Sequence, residues 1–359
     1  MSELPPHRDP TEAGVPENAT ANAVAALERI AELLEFALEP SYRVKAFRGA
    51  ADAIRPIDSA ELLRRVKEGR LRDLPGVGEK TAKVIQEAVG GELPSYLRKL
   101  EEDAPVVNEG PGTEIRAALK GDCHAHSDWS DGGSPVDEMA RAARALGHEY
   151  MVMTDHSPRL TVARGLTPER LRKQIDLIDA LNRELTPFRI LKGIEVDINE
   201  DGTLDQEDEL LAELDVVVGS VHSKLGGRMP ADEMTSRMVT ALQNPLMDIL
   251  GHCTGRKVTG KGRAESPFDA EVVFKTALEH DKAIEINCRP ERRDPPKRLI
   301  TLALEIGCWF SIDTDAHAPG QLAWQPYGCD RAAELGVPID RIVNTWDAEQ
   351  LTDWASSHR

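Results

Sequence analysis

The feature that most constrains the fold is an alternation of short apolar runs with helix-length segments in the last two thirds of the chain. Apolar runs lie just before His124 and near 149–154, 189–194, 214–221, 246–251, 282–287 and 309–313. Helix-length segments separate most of them, at 135–147, 167–186, 231–244, 268–280, 295–306 and 321–335. Seven strands that alternate with helices pair in parallel, either in a barrel or in a doubly wound sheet.

The first hundred residues carry the pattern of several short helices. Apolar residues recur at helical spacing over 21–36, from Tyr42 to Ile54, and onward from Ser59, an expected N-cap. A glycine hairpin at 74–82 opens another helix. We expect a disordered leader at 1–20, a small helical domain at 21–102, a linker at 103–117, an α/β domain at 118–346 and a C-terminal tail at 347–359.

Charge is distributed unevenly along the chain. The net charge is −18, yet residues 41–100 hold 13 Lys and Arg against 8 Asp and Glu, a local excess of +5 that leaves −23 for the rest. So acidic a chain does not coat nucleic acid with its whole surface. A small basic module joined to a large acidic one fits a division of labour, in which one part meets phosphates and the other holds cations.

Two further features concern the compartment. No apolar run reaches the roughly 18 residues of a membrane-spanning helix, and the first residues lack the apolar core of a signal peptide. The five cysteines are odd in number and show no CxxC spacing, which fits a reducing environment better than a disulfide framework. We therefore expect a cytoplasmic protein with no membrane partner, and the sequence leaves the oligomeric state open.

Residue types that bind metals fall at the ends of the expected strands. Six of the ten histidines do so, together with three carboxylates; the nine residues are His124, His126, Asp131, His156, Glu195, His222, His252, Asp315 and His317. The carboxyl ends of parallel barrel strands meet on one face, so these side chains are expected to converge there. The spacing His124-x-His126 puts both imidazoles on one side of an extended segment, and Asp315-x-His317 repeats it.

A single histidine is more often a core or surface residue than a ligand, but chance is a poor explanation for six of them in this arrangement. Nine ligand-type residues exceed what one ion needs, so the sequence predicts two or three divalent ions. A carboxylate such as Glu195 bridges two ions more readily than a histidine nitrogen does. Mixed histidine and carboxylate ligands suit Zn, Mn or Fe about equally.

Several motifs resemble the signature of the polymerase and histidinol phosphatase (PHP) superfamily. They are Asp122-Cys123-His124-Ala125-His126-Ser127, Ser130-Asp131-Gly132, Thr154-Asp155-His156-Ser157, Gly193-Ile194-Glu195-Val196-Asp197, Ser220-Val221-His222-Ser223, Gly251-His252-Cys253-Thr254-Gly255-Arg256 and Ser311-Ile312-Asp313-Thr314-Asp315-Ala316-His317. Two more, Ala163-Arg164-Gly165-Leu166-Thr167 and Glu285-Ile286-Asn287, are most similar to the exonuclease domain of bacterial family X DNA polymerases. The resemblance implies a distorted (β/α)7 barrel.

The resemblance also implies how the ligands divide among three ions. One ion would be held by His124, His126, Glu195 and Asp315, a second by Glu195, His222 and His252, and a third by Asp131, His156 and His317. The family often has His where Asp131 stands. The polymerase relatives usually have Pro where Cys253 stands, and we interpret this cysteine as a small spacer.

A cluster of this kind predicts hydrolysis of a phosphate ester. Bridging ions lower the pKa of a shared water and stabilise the attacking and leaving oxygens of a phosphoryl group. Glu195 and Asp315 are the expected catalytic carboxylates. Four cations near the strand ends are candidate phosphate clamps, with solvated surface charge as the alternative for each: Arg164, Lys224, Arg256 and Arg289. Arg164 and Arg256 lie inside the family-like motifs and are the expected catalytic cations.

The segment Leu74-Pro75-Gly76-Val77-Gly78-Glu79-Lys80-Thr81-Ala82 resembles a helix-hairpin-helix, a module that binds the DNA backbone. Its glycines let backbone N–H groups approach a phosphate at the positive end of the next helix. The run Tyr42-Arg43-Val44-Lys45-Ala46-Phe47-Arg48 resembles the start of the small domain of polymerase-beta-like enzymes. The expected DNA-binding residues are Gly76, Val77, Gly78, Lys80, Lys83, Arg43, Lys45 and Arg48. The alternative is a purely structural helical cap.

The sequence departs from that analogy in two ways. A linker of 15 residues stands where a polymerase palm would lie, and it contains no Gly-Ser pair with a downstream Asp-x-Asp, so polymerase activity is not expected. The lyase lysine of the beta-type domain corresponds to Val84. The adjacent Lys83 would point about 100° away on a helix, which puts lyase activity in doubt.

Three functions remain open from sequence. The first is a metal-dependent phosphoesterase that processes DNA 3′ ends in repair, as an exonuclease, a 3′-phosphatase or an abasic-site enzyme. The second is a small-molecule phosphatase of the histidinol-phosphate or nucleotide type, which the acidity of the large domain favours because an acidic pocket repels long DNA. The third is a DNA-binding or regulatory protein with a structural cluster, which the number of ligand-type residues disfavours.

Overall fold

The computed structural model describes residues 18–105 and 109–359, and the chain divides into two compact units, Met1–Pro105 and Val106–Arg359. The predicted leader lies outside the described residues except for 18–20, and Ala19 already begins the first helix. Within the described ranges, no helix combines the length and apolar character that crossing a bilayer requires. The expected cytoplasmic location stays a prediction.

The first unit packs short helices around a long first one. The helices are α1 (Ala19–Phe36), α2 (Ser41–Ile54), α3 (Ser59–Lys67), α4 (Glu79–Ala88) and α5 (Ser95–Asp103). Leu27, Ile30 and Leu34 recur at helical spacing on α1 and are fully buried in the core of this unit. The N-cap of α3 is Asp58 rather than the expected Ser59, because the Asp58 carboxylate accepts the N–H of Glu61 at 2.8 Å.

The second unit is a parallel barrel whose strands pair in chain order. They are β1 (Gly121–Ala125), β2 (Tyr150–Met153), β3 (Arg189–Asp197), β4 (Val216–Ser220), β5 (Ile249–Leu250), β6 (Ala283–Asn287) and β7 (Trp309–Asp313). A parallel bridge between Ala125 and Ala316 joins the first and last edges, so the barrel is nearly closed. This confirms the predicted barrel over the doubly wound alternative, whose strand order is not sequential.

Helices cover the outside of the barrel. They are α6 (Thr113–Ala118), α7 (Val136–Ala145), α8 (Pro168–Leu185), α9 (Asp208–Leu211), α10 (Ala231–Leu242), α11 (Ala270–Glu279), α12 (Lys297–Ile306), α13 (Gln325–Glu334) and α14 (Ala348–Ser356). Helix α6 begins within the segment interpreted as a linker and ends one residue beyond it. Helix α14 lies where a tail was expected, and its buried Leu351 and Ala355 share an apolar cluster with Tyr150 and Val216, at the amino ends of their strands.

Candidate metal centre

The structure brings all nine predicted ligand-type residues together at the carboxyl ends of the strands. His124 lies within β1 and Glu195 within β3, two residues before its end, whereas the others lie in the loops that follow β1, β2, β4, β5 and β7. Their burial differs: His124, His126 and Glu195 are almost wholly enclosed, while Asp131 is 38% exposed. The cluster therefore has a closed floor and an open side at Asp131.

The carboxylate of Glu195 is the centre of this cluster, because ring nitrogens of five histidines surround it. Its Oε1 lies 3.4 Å from Nε2 of His124, 3.3 Å from Nε2 of His222 and 2.9 Å from Nε2 of His252. Its Oε2 lies 3.6 Å from Nε2 of His126 and 2.8 Å from Nδ1 of His156. A residue at the centre of five potential ligands is placed to share its oxygens between ions, as the sequence suggested for Glu195.

Asp131 and Asp315 extend the cluster on the side of His317. Asp131 Oδ1 lies 3.5 Å from Nε2 of His156 and 3.3 Å from Nε2 of His317. Asp315 Oδ1 lies 3.4 Å from Nε2 of His126 and 3.5 Å from Nδ1 of His317. The nine residues thus form one connected set.

Buried polar atoms without partners test whether this set fits metal ions. Within the described residues, both oxygens of Glu195 and both ring nitrogens of His126, His222 and His252 are buried and make no hydrogen bond. Buried polar atoms normally find partners, because leaving them unpaired costs free energy. Here lone pairs converge from several directions, and a divalent cation satisfies such a donor set.

Ligand atoms fall into three groups whose members all lie within 4.8 Å of one another. The groups are His126, Asp131, His156 and His317; His124, His126 and Asp315; and His156, Glu195 and His222. His126 and His156 each belong to two groups, which differs from the division that the family resemblance implied. His252 is outside these groups but reaches Glu195. The site can hold divalent metal ions, and the assignment of each ligand to an ion stays a prediction.

Charge at the cluster is balanced by the opposing effects of burial and of neighbours. Burial alone would raise the pKa of Glu195, but the nearby His222 and His124 outweigh it and hold this pKa well below its ordinary value. Burial, followed by His317 and His156, lowers the pKa of His126 well below its ordinary value. A carboxylate and an imidazole that both stay deprotonated are in the forms that bind metals.

Two carboxylates that the sequence analysis did not assign orient the histidines from behind. Glu285 Oε1 lies 2.5 Å from Nδ1 of His124, and its Oε2 accepts the backbone N–H of His252 at 2.5 Å. Asp197 Oδ1 accepts the backbone N–H of His222 at 3.1 Å and lies 3.4 Å from its Nδ1. A signal was present, since Glu285 and Asp197 lie on strands inside the family-like motifs, but pairing across strands is not local in sequence.

Two arginines of the loop after β6 contact Asp315. Arg292 Nε lies 3.1 Å from Asp315 Oδ2, while Arg289 donates to the Asp315 carbonyl oxygen at 2.9 Å and lies 2.8 Å from Nδ1 of His317. Asp315 has a φ of +52°, a left-handed conformation that costs a non-glycine residue free energy. The arginines hold it there. Burial would raise the pKa of Asp315, but Arg289 and Arg292 keep it well below its ordinary value.

Within the described residues, neither of the two arginines that the sequence singled out as catalytic forms a hydrogen bond or ion pair with one of the nine ligand-type residues. Arg164 is exposed and donates to the carbonyl oxygen of Asp128 at 2.9 Å, on the loop that carries Asp131. Arg256 donates through Nε to the carbonyl oxygen of Arg292 at 3.1 Å and also contacts Glu265 and Arg293. Arg256 thus supports the loop of Arg289 and Arg292, and a direct role for either predicted arginine stays a prediction.

The glycine hairpin of the first unit has the conformation that its two glycines predict. Gly76 has a φ of +85°, which favours glycine, and a side chain there would come within 3.2 Å of the Gly49 carbonyl oxygen. The side chain of Val77 is buried, and its N–H donates to Leu74 at 3.1 Å. Gly78 faces open space at the start of α4, where the N–H groups of a first helical turn have no intrahelical partner.

Some basic side chains of this unit are held by partners within the unit, whereas others are exposed. Arg48 forms two hydrogen bonds of 2.7 and 2.9 Å with the buried Glu35, and Arg43 contacts Glu39 and Tyr96. By contrast Lys45 is exposed. Two further lysines are exposed and line a groove of about 610 Å³ between α3 and α4, Lys80 and Lys83, although Lys83 also lies 3.7 Å from Glu87. Lys80 also lies 4.9 Å over the Tyr96 ring, and Val84 is buried.

Comparison with known proteins agrees with both units. A family model described as the PHP domain matches residues 122–289, and one described as a helix-hairpin-helix domain matches residues 18–91. The chain is 46% identical over 252 residues to the DNA polymerase/3′-5′ exonuclease PolX of Bacillus subtilis strain 168, covering 70% of this chain but 44% of that protein. It is 33% identical over 231 residues to a probable phosphatase of Acetivibrio thermocellus, covering 62% of this chain and 90% of that protein.

A solved structure of histidinol phosphate phosphatase from Lactococcus lactis, complexed with Zn, L-histidinol and phosphate, is 16% identical and covers 60% of this chain and 94% of that chain, with a TM-score of 0.43. The barrel, its cluster and the relatives in sequence define a metal-dependent hydrolase of phosphate esters. The chain belongs to the PHP family and carries a helix-hairpin-helix unit before the barrel. It spans less than half the length of the Bacillus enzyme.

Proposed function

We propose that this chain processes the 3′ ends of DNA in repair, as a 3′-5′ exonuclease, a 3′-phosphatase or an abasic-site enzyme, without polymerase activity. The observation that carries the proposal is the presence, in one chain, of the Glu195-centred cluster and of a hairpin unit whose Gly78, Lys80 and Lys83 are exposed. The likeness to a Bacillus protein named as a polymerase and 3′-5′ exonuclease supports it.

Some residues at the cluster would bind the ions, and others would position the substrate. We expect two or three ions, of Zn, Mn or Fe, on the nine ligand-type residues. When bound, such ions supply a water of lowered pKa and positive charge at the phosphoryl oxygens. Asp131 and His317 border the open side, where a strand end enters. Arg289 and Arg292 fix Asp315 and add positive charge beside it, which favours a phosphate at that position.

A small-molecule phosphatase of the histidinol-phosphate or nucleotide type is the second candidate. The barrel residues 118–359 hold 28 Lys and Arg against 41 Asp and Glu, a net charge of −13 that favours this candidate, because an acidic barrel repels a long polyanion. The Acetivibrio relative, of which the chain covers 90%, is named a probable phosphatase and supports the same candidate. In this case the hairpin unit would be a structural helical cap.

Activity on matched substrates tests the two candidates. The purified protein with added manganese is incubated with a 3′-labelled oligonucleotide, a 3′-phosphorylated oligonucleotide, an abasic oligonucleotide, histidinol phosphate and para-nitrophenyl phosphate. We expect processing of at least one oligonucleotide, with loss of all activities in the His124→Ala/His126→Ala variant. Hydrolysis of the small esters with every oligonucleotide left intact would reject the DNA proposal in favour of the second candidate.

A further inference from the structure

A short antiparallel hairpin leaves the barrel shortly after His252 and carries an unusual concentration of positive charge. It spans 256–263 and contains four Lys and Arg and no Asp or Glu, within the part of the chain that is otherwise strongly acidic. Lys257 and Arg263 pair across it through backbone hydrogen bonds of 2.9 and 2.8 Å. Gly260 and Gly262, both with positive φ, turn the chain at its tip. We call this segment the basic hairpin.

The lysines of the basic hairpin differ from other exposed lysines of the barrel. Lys257 and Lys261 are exposed, and among the described residues no carboxylate forms an ion pair with either of them. Lys173 and Lys275, on the outer helices, each lie 2.6 Å from a glutamate one turn away. Burial, and then the charges of Arg292 and Arg263, lower the pKa of Lys257, and the nearby carboxylate of Glu291 opposes them only in part. Unpaired like charges held together cost free energy, which a bound anion would remove.

Backbone contacts connect the basic hairpin to the metal centre. The N–H of Val258 donates to the carbonyl oxygen of Glu291 at 2.7 Å, and Arg256 donates to that of Arg292 at 3.1 Å. Arg292 in turn lies 3.1 Å from Asp315. Positive side chains therefore continue from the ligand cluster, through the loop after β6, to the tip of the hairpin.

The positive side chains of the basic hairpin extend over a distance longer than a single phosphate group. From Lys257 to the turn, three extended residues span about 10 Å. A strand of a B-form duplex carries one charge about every 3.4 Å along the helix axis, so at least two consecutive phosphates fit such a distance. A small phosphomonoester at the ligand cluster would leave Lys257 and Lys261 without a partner.

We propose that the basic hairpin binds the phosphodiester backbone of the nucleic-acid strand whose end lies at the metal centre, with Lys257 and Lys261 as its contacts. This inference rests on the proposed action on DNA and identifies how an acidic barrel engages a polyanion. Contacts to phosphate position a strand without reading its sequence, so the hairpin acts on strands of any sequence. Arg256 holds the hairpin in place because its side chain donates hydrogen bonds to the backbone carbonyl oxygens of Arg292 and Arg293.

A double substitution with a matched control tests the inference in the full chain with manganese. The Lys257→Gln/Lys261→Gln variant is compared with Lys173→Gln/Lys275→Gln, which removes the same charge from the outer helices. We expect the ratio of kcat/KM for a single-stranded oligonucleotide to that for para-nitrophenyl phosphate to fall about tenfold in the hairpin variant. The salt dependence of oligonucleotide turnover should also weaken, by a slope of about 1.4 for two phosphates. The control should keep both values.

Inhibition of para-nitrophenyl phosphate hydrolysis by a phosphorothioate oligonucleotide separates this inference from the proposed function. Inhibition that is salt-dependent in the wild type and weakened in the hairpin variant supports the inference, even if the wild type degrades no DNA and the proposed function fails. If DNA is degraded but the hairpin and control variants have the same ratio of kcat/KM values and the same salt dependence, the inference is wrong while the proposed function stands. An equal loss of kcat/KM on both substrates would mean that the lysines act on the monoester. Absence of inhibition by the oligonucleotide would mean that no strand binds there. Either result overturns the inference.

Discussion

Glu285 and His124 form a fully buried contact of 2.5 Å between Oε1 and Nδ1, behind the metal centre. A carboxylate at Nδ1 fixes the proton on that nitrogen and leaves Nε2, which faces Glu195, with its lone pair. The second oxygen of Glu285 accepts the N–H of His252, so one side chain orients two of the ligand-type residues.

Glu285→Gln is therefore expected to weaken metal binding while the barrel stays folded. Loss of a carboxylate behind a ligating histidine typically lowers metal affinity about 10- to 100-fold. The manganese concentration that gives half-maximal hydrolysis of para-nitrophenyl phosphate measures this. Glu271→Gln, an exposed residue paired with Lys275, is the control. Equal manganese requirements in both variants would show that Glu285 does not orient the ligands.

Removal of metal is expected to destabilise the barrel through Glu195. Ions that bind only the folded state stabilise it by about 2.7 kcal/mol at a concentration of 100 Kd. That corresponds to about 5–10 °C in Tm for a domain of this size. Calorimetry with manganese and with EDTA measures the shift, which we expect to be much smaller in Glu195→Gln. A variant that keeps the full shift would place the ions away from Glu195.

The outcome for particular residues indicates what sequence can predict here. The nine ligand-type residues were recognised because strand ends and period-two spacing are local patterns, and parallel topology then brings the ends together. Arg292 was missed because its importance comes from a contact with Asp315, which follows it on a different strand connection. The same limit applies to α14, whose apolar residues are too few to predict burial until Tyr150 is placed against them.

The two glycines of the first unit are expected to respond differently to alanine. At Gly76 the positive φ costs about 1–2 kcal/mol for any side chain, and the added methyl group would make a tight contact of 3.2 Å with the Gly49 carbonyl oxygen. At Gly78 nothing lies within 4 Å, so Gly78→Ala should cost less than about 1 kcal/mol as a helix N-cap.

Gly78→Ala is accordingly the cleaner test of DNA binding. Its methyl group would add bulk at the start of α4, where we expect a DNA phosphate to approach the N–H groups, and loss of one charge-assisted hydrogen bond corresponds to roughly tenfold in Kd. Urea unfolding and anisotropy titration with labelled duplex DNA measure stability and affinity on the same samples. An affinity equal to that of the wild type would show that the glycine hairpin of the first unit does not contact DNA.

His148 is expected to make the stability of the barrel depend on pH. This side chain is buried, neither ring nitrogen has a hydrogen-bond partner among the described residues, and burial followed by the charge of Arg116 lowers its pKa to about 3. An unfolded histidine takes up a proton near pH 6.5. Between these pH values unfolding is therefore accompanied by proton uptake, and the free energy of unfolding falls as the pH falls, by up to about 1.4 kcal/mol per pH unit.

His148→Asn removes this group, so the difference in free energy of unfolding between wild type and variant isolates its contribution. The other ionisable groups of the barrel are the same in both proteins, so their contributions cancel in the difference. We expect the wild type to lose stability more steeply than His148→Asn between about pH 6.5 and 4, and the two slopes to agree above about pH 7.5, where the unfolded histidine is neutral. Urea titrations in EDTA at five or so pH values measure both slopes. Parallel curves across the acidic range would mean that His148 is protonated in the folded barrel.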